Sequence, residues 1–71
     1  MKQNLNLNWL RTFEAASRHL SFTAASHELG LTQSAVSQHI KALETKLGQK
    51  LFIRRAKSLR LTDIGEAYVL L

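Results

Sequence analysis

The 71-residue chain contains no cysteine and no proline, only three glycines, and five acidic residues against ten basic ones. Without cysteine, neither a disulfide framework nor a thiolate metal site is available. Without proline, a low-complexity tract or an internal repeat, the chain reads as one small domain; a domain of this size buries only about 60% of its unfolded surface. No run approaches the roughly 18 apolar residues of a membrane span. The start, Met1 to Asn6, lacks the apolar core and cleavage site of a signal peptide, so a cytoplasmic protein is the expectation. Gly30, Gly48 and Gly65 lie too far apart to build a phosphate-cradling loop. His19, His27 and His39 have no histidine at i+3 or i+4, which argues against zinc. Ser34 and Ser37 lack a base-and-carboxylate set that would make either a nucleophile. An enzyme is not expected, and no metal or cofactor is expected in this domain.

What is present is a pattern of short amphipathic helices. Phe22, Ala25, Ser26 and Leu29 fall at i, i+3, i+4 and i+7, one face of a helix broken only by the small Ser26. Gly30 follows, where a left-handed residue ends a helix most easily. Thr32 then suits the N-cap of a helix over residues 33–47, whose apolar face is Val36, Ile40, Leu43 and Leu47 and which stops at Gly48. Two helices joined so closely around a glycine predict a helix-turn-helix, which presents its second helix to the DNA major groove.

Charge placement agrees. Residues 33–60 hold seven basic side chains against the single acid Glu44, a net of +6, while the remainder has three basic and four acidic residues. Such a patch attracts phosphate through counterion release, although a solvated face kept basic for solubility would look the same.

Around this motif, a first helix is expected from about Asn8 to Arg18, capped by Asn8 or Asn6, with Glu14 and Arg18 as an i, i+4 pair. Ser21 caps the second helix. Beyond Gly48, Leu51-Phe52-Ile53 and Leu59-Arg60-Leu61 are β-compatible runs flanking Arg54 to Lys57. They predict a hairpin, or wing, with a cationic tip, or else an irregular loop carrying the same charges. Thr62 caps a last helix from Asp63, with Ile64, Ala67, Tyr68 and Leu71 as its apolar stripe. That stripe either packs back onto the first helix, against Trp9, or opens a longer dimerisation helix; the second is the reading adopted, with the chain a fragment. The expected organisation is mainly α, a winged helix-turn-helix over 1–61 and the start of a linker helix over 62–71.

The ordered set Leu10-Arg11-Thr12-Phe13, Ser21-Phe22-Thr23 with Ala25, Leu29, Thr32 to Ser37, Ile40, Leu43-Glu44, Leu47-Gly48, Leu51-Phe52, Arg54 and Leu61-Thr62 with Gly65 resembles the N-terminal domain of LysR-type transcriptional regulators over essentially the whole chain. Arg18 to Thr23 looks closest to the branch holding glycine-cleavage and β-lactamase regulators. The resemblance implies a winged helix-turn-helix that binds double-stranded operator DNA at the nucleoid, and a linker helix that pairs two subunits, with a tetramer open to the full-length protein. It also implies a separate C-terminal domain that senses a small-molecule effector. Three positions depart from the family's habit: Ser26 for alanine, Lys57 for arginine near the wing tip, and Ile64 for alanine in the last helix.

Roles follow residue by residue. Gln33, Ser34, Ser37 and Gln38 lie on the first turns of the third helix, away from its apolar face. Glutamine can bond two atoms of adenine's major-groove edge and serine can donate or accept, so these four are the expected base contacts. Lys41, one turn on, is expected to meet a phosphate. Ser21, Thr23 and Thr32 stand at helix N-termini, where they hold phosphate oxygens, act as simple caps, or do both. Arg54, Arg55 and Lys57 would reach the backbone or minor groove from the wing. His39 faces DNA, its own domain or solvent. The alternative is a winged-helix module that binds a protein. It would need an apolar or acidic outer face on the third helix, and that face here is Gln, Ser and Lys. RNA binding would need an aromatic stacking platform, and the aromatic residues are dispersed.

Overall fold

The computed structural model describes residues 5–70. Its elements run α1 (Leu7–His19), α2 (Phe22–Leu29), α3 (Gln33–Leu47), β1 (Phe52–Arg55), β2 (Ser58–Leu61) and α4 (Asp63–Val69). Each helix start is fixed by a capping side chain. Asn6 Oδ1 accepts from the amides of Asn8 and Trp9 at 2.8 and 3.3 Å, so α1 begins slightly earlier than the expected Asn8. Ser21 Oγ and Thr32 Oγ1 each accept one backbone amide at 3.0 Å, from Ala24 and Ala35. These bonds satisfy donors that a helix leaves orphaned at its first turn.

The ends are equally defined. Gly30 and Gly48 take left-handed φ of 67° and 69°. In each case the next amide reaches back five residues, Leu31 to the Ser26 carbonyl at 2.9 Å and Gln49 to the Glu44 carbonyl at 3.2 Å, as in a Schellman motif. Leu20 ends α1 in the same region at φ 50°, where a leucine pays about 1 kcal/mol relative to a glycine.

The core forms where the three helices meet the wing. Phe13, Ala15 and Ala16 of α1, Ala25 of α2, and Val36, Ile40 and Leu43 of α3 are buried with Leu51 and Phe52. Burying each of the larger aliphatic side chains is worth about 1.5–3 kcal/mol against leaving it exposed. The alanines let α1 and α2 approach closely. Ser26, also buried, satisfies its hydroxyl by donating to the Thr23 carbonyl at 2.6 Å, so it fits this contact without an orphaned polar group. Phe52 meets Phe13 and Phe22 edge-on, with centroids 5.6 and 5.4 Å apart.

The wing is a regular antiparallel hairpin in the register Phe52–Leu61, Ile53–Arg60, Arg54–Leu59 and Arg55–Ser58, leaving Ala56 and Lys57 as the turn. Arg54 and Arg55 therefore belong to β1, and of the expected cationic tip only Lys57 lies in the turn. Neither turn residue has a positive φ. The hairpin thus avoids the primed turns that demand Asn-Gly or Asp-Gly, which is why the sequence carried no such signal.

Thr62 joins α4 to the wing. Its amide donates to the Leu51 carbonyl at 3.0 Å and its hydroxyl to the Lys50 carbonyl at 2.6 Å, while its Oγ1 accepts from the Gly65 amide at 2.9 Å. Gly65 is buried there, and a Cβ on it would sit 2.2 Å from the Leu51 oxygen. Of the expected stripe, Tyr68 is half-buried, Ile64 and Ala67 are exposed, and Leu71 lies outside the described residues. Tyr68 and Val69 look onto an apolar groove of about 620 Å³ shared with Leu10, Leu47 and Leu61. Leu10 and Phe13 of α1 line this groove with α4, and Trp9 is not among the lining residues. No helix among the described residues is long and apolar enough to cross a membrane.

Candidate nucleic-acid interface

Three elements converge on one face. Gln33 and Ser34 on the first turn of α3, and Gln38 and Lys41 one and two turns on, are all exposed, whereas Ser37 is half-buried. Val36, Ile40 and Leu43 on the opposite side are sunk in the core, so the polar side of α3 is turned outward by its own apolar side. Thr32 is exposed at the N-terminus of α3, with its oxygen engaged in capping and its hydroxyl proton still free to donate. Ser21, half-buried, caps α2 in the same way, and Thr23 stands exposed in the first turn of that helix.

The wing is attached to this face by one side chain. Arg54 lies over the Phe22 ring, its guanidinium carbon 4.6 Å from the centroid, and its Nη2 donates to Ser37 Oγ at 3.4 Å. Arg54 thereby touches the start of α2 and the second turn of α3, and does not project from a tip. Strand alternation sends Arg55 to the other face of the hairpin, level with Ser58, and Lys57 projects from the turn. Of the predicted residues, Arg54, Ser37 and the N-terminal turn of α2 are in contact. Arg55 and Lys57 extend the basic surface along the wing.

Two structural devices that hold α3 in place were not read from the sequence. Glu44, the one acid of the basic segment, is only 12% exposed in its side chain. Its Oε2 accepts from the amides of Leu51 and Phe52 at 2.8 and 3.2 Å, fixing the wing's first strand to α3. Its charge is thus spent on backbone donors and, more distantly, on Lys50 at 3.9 Å. His39, for which three environments were open, is half-buried and bonded through Nδ1 to the Thr12 hydroxyl at 2.8 Å. Thr12 is 1% exposed, so the histidine supplies the partner that its hydroxyl needs.

The acids of α1 and α2 are gathered elsewhere. Arg18 donates to both oxygens of Glu14 at 2.9 Å and to both of Glu28 at 3.0 and 2.7 Å, and His19 Nε2 donates to Glu28 at 2.6 Å. The hydrogen bonds from Arg18 first, and from His19 second, pull the Glu28 carboxyl down to about 2. The expected i, i+4 pair is therefore part of a four-residue cluster tying α1 to α2.

Fold and face together define a winged helix-turn-helix domain. The chain belongs to the lysR family of bacterial regulatory helix-turn-helix proteins, whose family model matches residues 7–66. It is 61% identical over 64 residues to the glycine cleavage system transcriptional activator of Escherichia coli K12, covering 90% of this chain and 21% of that protein. It is 57% identical over 61 residues to the transcriptional activator AmpR of Citrobacter freundii, covering 86% of this chain and 21% of that one. The chain spans about a fifth of the length of these curated relatives. Among solved structures it superposes on the CbnR DNA-binding domain in complex with DNA with a TM-score of 0.88, at 28% identity over 92% of this chain and 75% of that one. The BenM DNA-binding domain bound to catB site 1 DNA gives 0.87, at 32% identity over 92% of this chain and 73% of that one.

Proposed function

We propose that this domain binds double-stranded DNA sequence-specifically, as the operator-reading part of a bacterial transcriptional regulator. The single observation that carries the reading is the polar Gln33-Ser34-Ser37-Gln38 face of α3, exposed but for the half-buried Ser37, flanked by two capped helix N-termini and joined to a basic wing through Arg54. Glutamine and serine offer hydrogen bonds to base edges in the major groove, while Lys41, Arg55, Lys57 and the Ser21, Thr23 and Thr32 hydroxyls meet phosphates. The two relatives solved on DNA support the same reading, and the polar outer face of α3 disfavours a protein-binding module.

We further propose that the intact regulator pairs through an extension of α4, using the stripe Ile64, Ala67, Tyr68 and Leu71, and takes its small-molecule effector outside these 71 residues. Its site of action is the nucleoid, and the domain itself is a non-catalytic binding unit. Selection of the chain on random duplex DNA at moderate salt tests the function. Recovery of an enriched motif is the expected result, and salt-sensitive binding with no motif contradicts specific readout.

A further inference from the structure

We propose that Arg54 is a positioning residue for Ser37, holding the Ser37 hydroxyl as a hydrogen-bond donor and so deciding which bases that position accepts. The inference rests on the DNA-reading function proposed above. A free serine hydroxyl has one donor and two acceptor sites, and reads a base edge ambivalently. A guanidinium has donors only. Arg54 Nη2 donates into Ser37 Oγ at 3.4 Å, which occupies an acceptor site and sets a positive charge beside the oxygen. A base amino group, itself a donor, is then disfavoured at that oxygen, and the remaining O–H is left to donate.

The arrangement is held from beneath. Arg54 lies over the Phe22 ring at 4.6 Å, and Phe22 is fixed edge-on against Phe52 at 5.4 Å. Phe52 and Arg54 are two residues apart on β1 and share a face of the hairpin. Unlike Arg18, Arg54 has no carboxylate within ion-pair distance among the described residues, so the ring and Ser37 are what orient it. Ser37 should therefore favour bases presenting acceptors in the major groove, such as guanine O6 or thymine O4, over the amino group of cytosine. Lysine keeps the charge but lacks the planar fork that stacks and points at the same time.

The test is a parallel selection on random duplex DNA with the wild-type chain, Ser37→Ala, Arg54→Lys and the double variant, comparing preference at every base-pair position. Circular dichroism melting of each variant verifies folding; both changes lie outside the core. Ser37→Ala is expected to flatten one position by about fivefold, the lower end of what one mismatched pair costs. In the wild type, that position favours an acceptor-bearing base over cytosine. Arg54→Lys flattens the same position by a similar factor, leaves the others unchanged, and adds nothing in the double variant. A uniform loss across all sequences, an unchanged profile, or a wild-type preference for cytosine there overturns the inference while leaving the DNA-reading function standing. A wild-type chain with no preference at any position overturns that function itself.

Discussion

The Thr12 hydroxyl and His39 Nδ1 share a hydrogen bond of 2.8 Å that ties the buried face of α1 to the helix carrying the proposed base contacts. Because Thr12 is buried, this bond exchanges a desolvated hydroxyl for a paired one, and it sits one residue beyond Gln38. Thr12→Val keeps the shape and removes the bond. Since the half-buried His39 can still turn to water, the expected cost is about 1 kcal/mol in urea unfolding. No change in midpoint would mean that the bond has no net weight.

Glu44 is the stronger fastening. Glu44→Ala leaves the amides of Leu51 and Phe52 without their carboxylate, at the point where the wing leaves the core. The expected loss is about 2 kcal/mol, since the bonds are charge-assisted and the donors partly buried. Hydrogen exchange at the Leu51 and Phe52 amides should accelerate before that of α1. Uniform acceleration would instead mark Glu44 as a contributor to global stability alone.

Acid should loosen the α1–α2 contact. The folded Glu28 carboxyl is held down to about 2 from an ordinary 4.5, by Arg18 first and His19 second. A lowered folded value contributes stability that is full above about 4.5 and is lost as the pH falls towards 2. Glu14, also lowered by its hydrogen bond to Arg18, acts in the same direction. Glu28→Gln should therefore be less stable than wild type at neutral pH and converge with it near pH 2, as followed by thermal melting across that range. Parallel curves at every pH would refute the linkage.

On DNA, two substitutions should separate reading from attraction. Gln33→Ala is expected to cost about 1–3 kcal/mol on the preferred duplex and to relax one base position. Lys57→Ala, at the wing turn, should weaken every duplex alike and lower the salt slope by about one unit. Titrations on preferred and scrambled duplexes at several salt concentrations measure both. The roles would be reversed if Gln33→Ala changed all duplexes equally and Lys57→Ala changed only one.

Much of this was legible in the sequence because local rules and packing agree. Ser21, Thr32 and Thr62 cap where their chemistry suits them, Gly30 and Gly48 end their helices, and the period of Val36, Ile40 and Leu43 turns Gln33 and Gln38 outward. Leu20 ends α1 without any such signal, because the tertiary fold imposes a left-handed turn on a residue that does not favour it. What escaped was long-range. Glu44 reaches the wing seven residues on, His39 meets Thr12 across 27 residues, and Arg54 reaches Ser37 across 17. Each is a pairing between elements, and no spacing rule within one element announces it. The hairpin's regularity was likewise hidden, since its turn at Ala56-Lys57 uses no positive φ.

The most direct test of the central claim is amide chemical-shift mapping of the isotope-labelled chain titrated with its selected duplex. The largest shifts are expected at Ser21 to Thr23, Thr32 to Lys41 and Arg54 to Lys57. Shifts centred on the groove of Leu10, Leu47 and Tyr68, with the first turns of α3 unmoved, would contradict it.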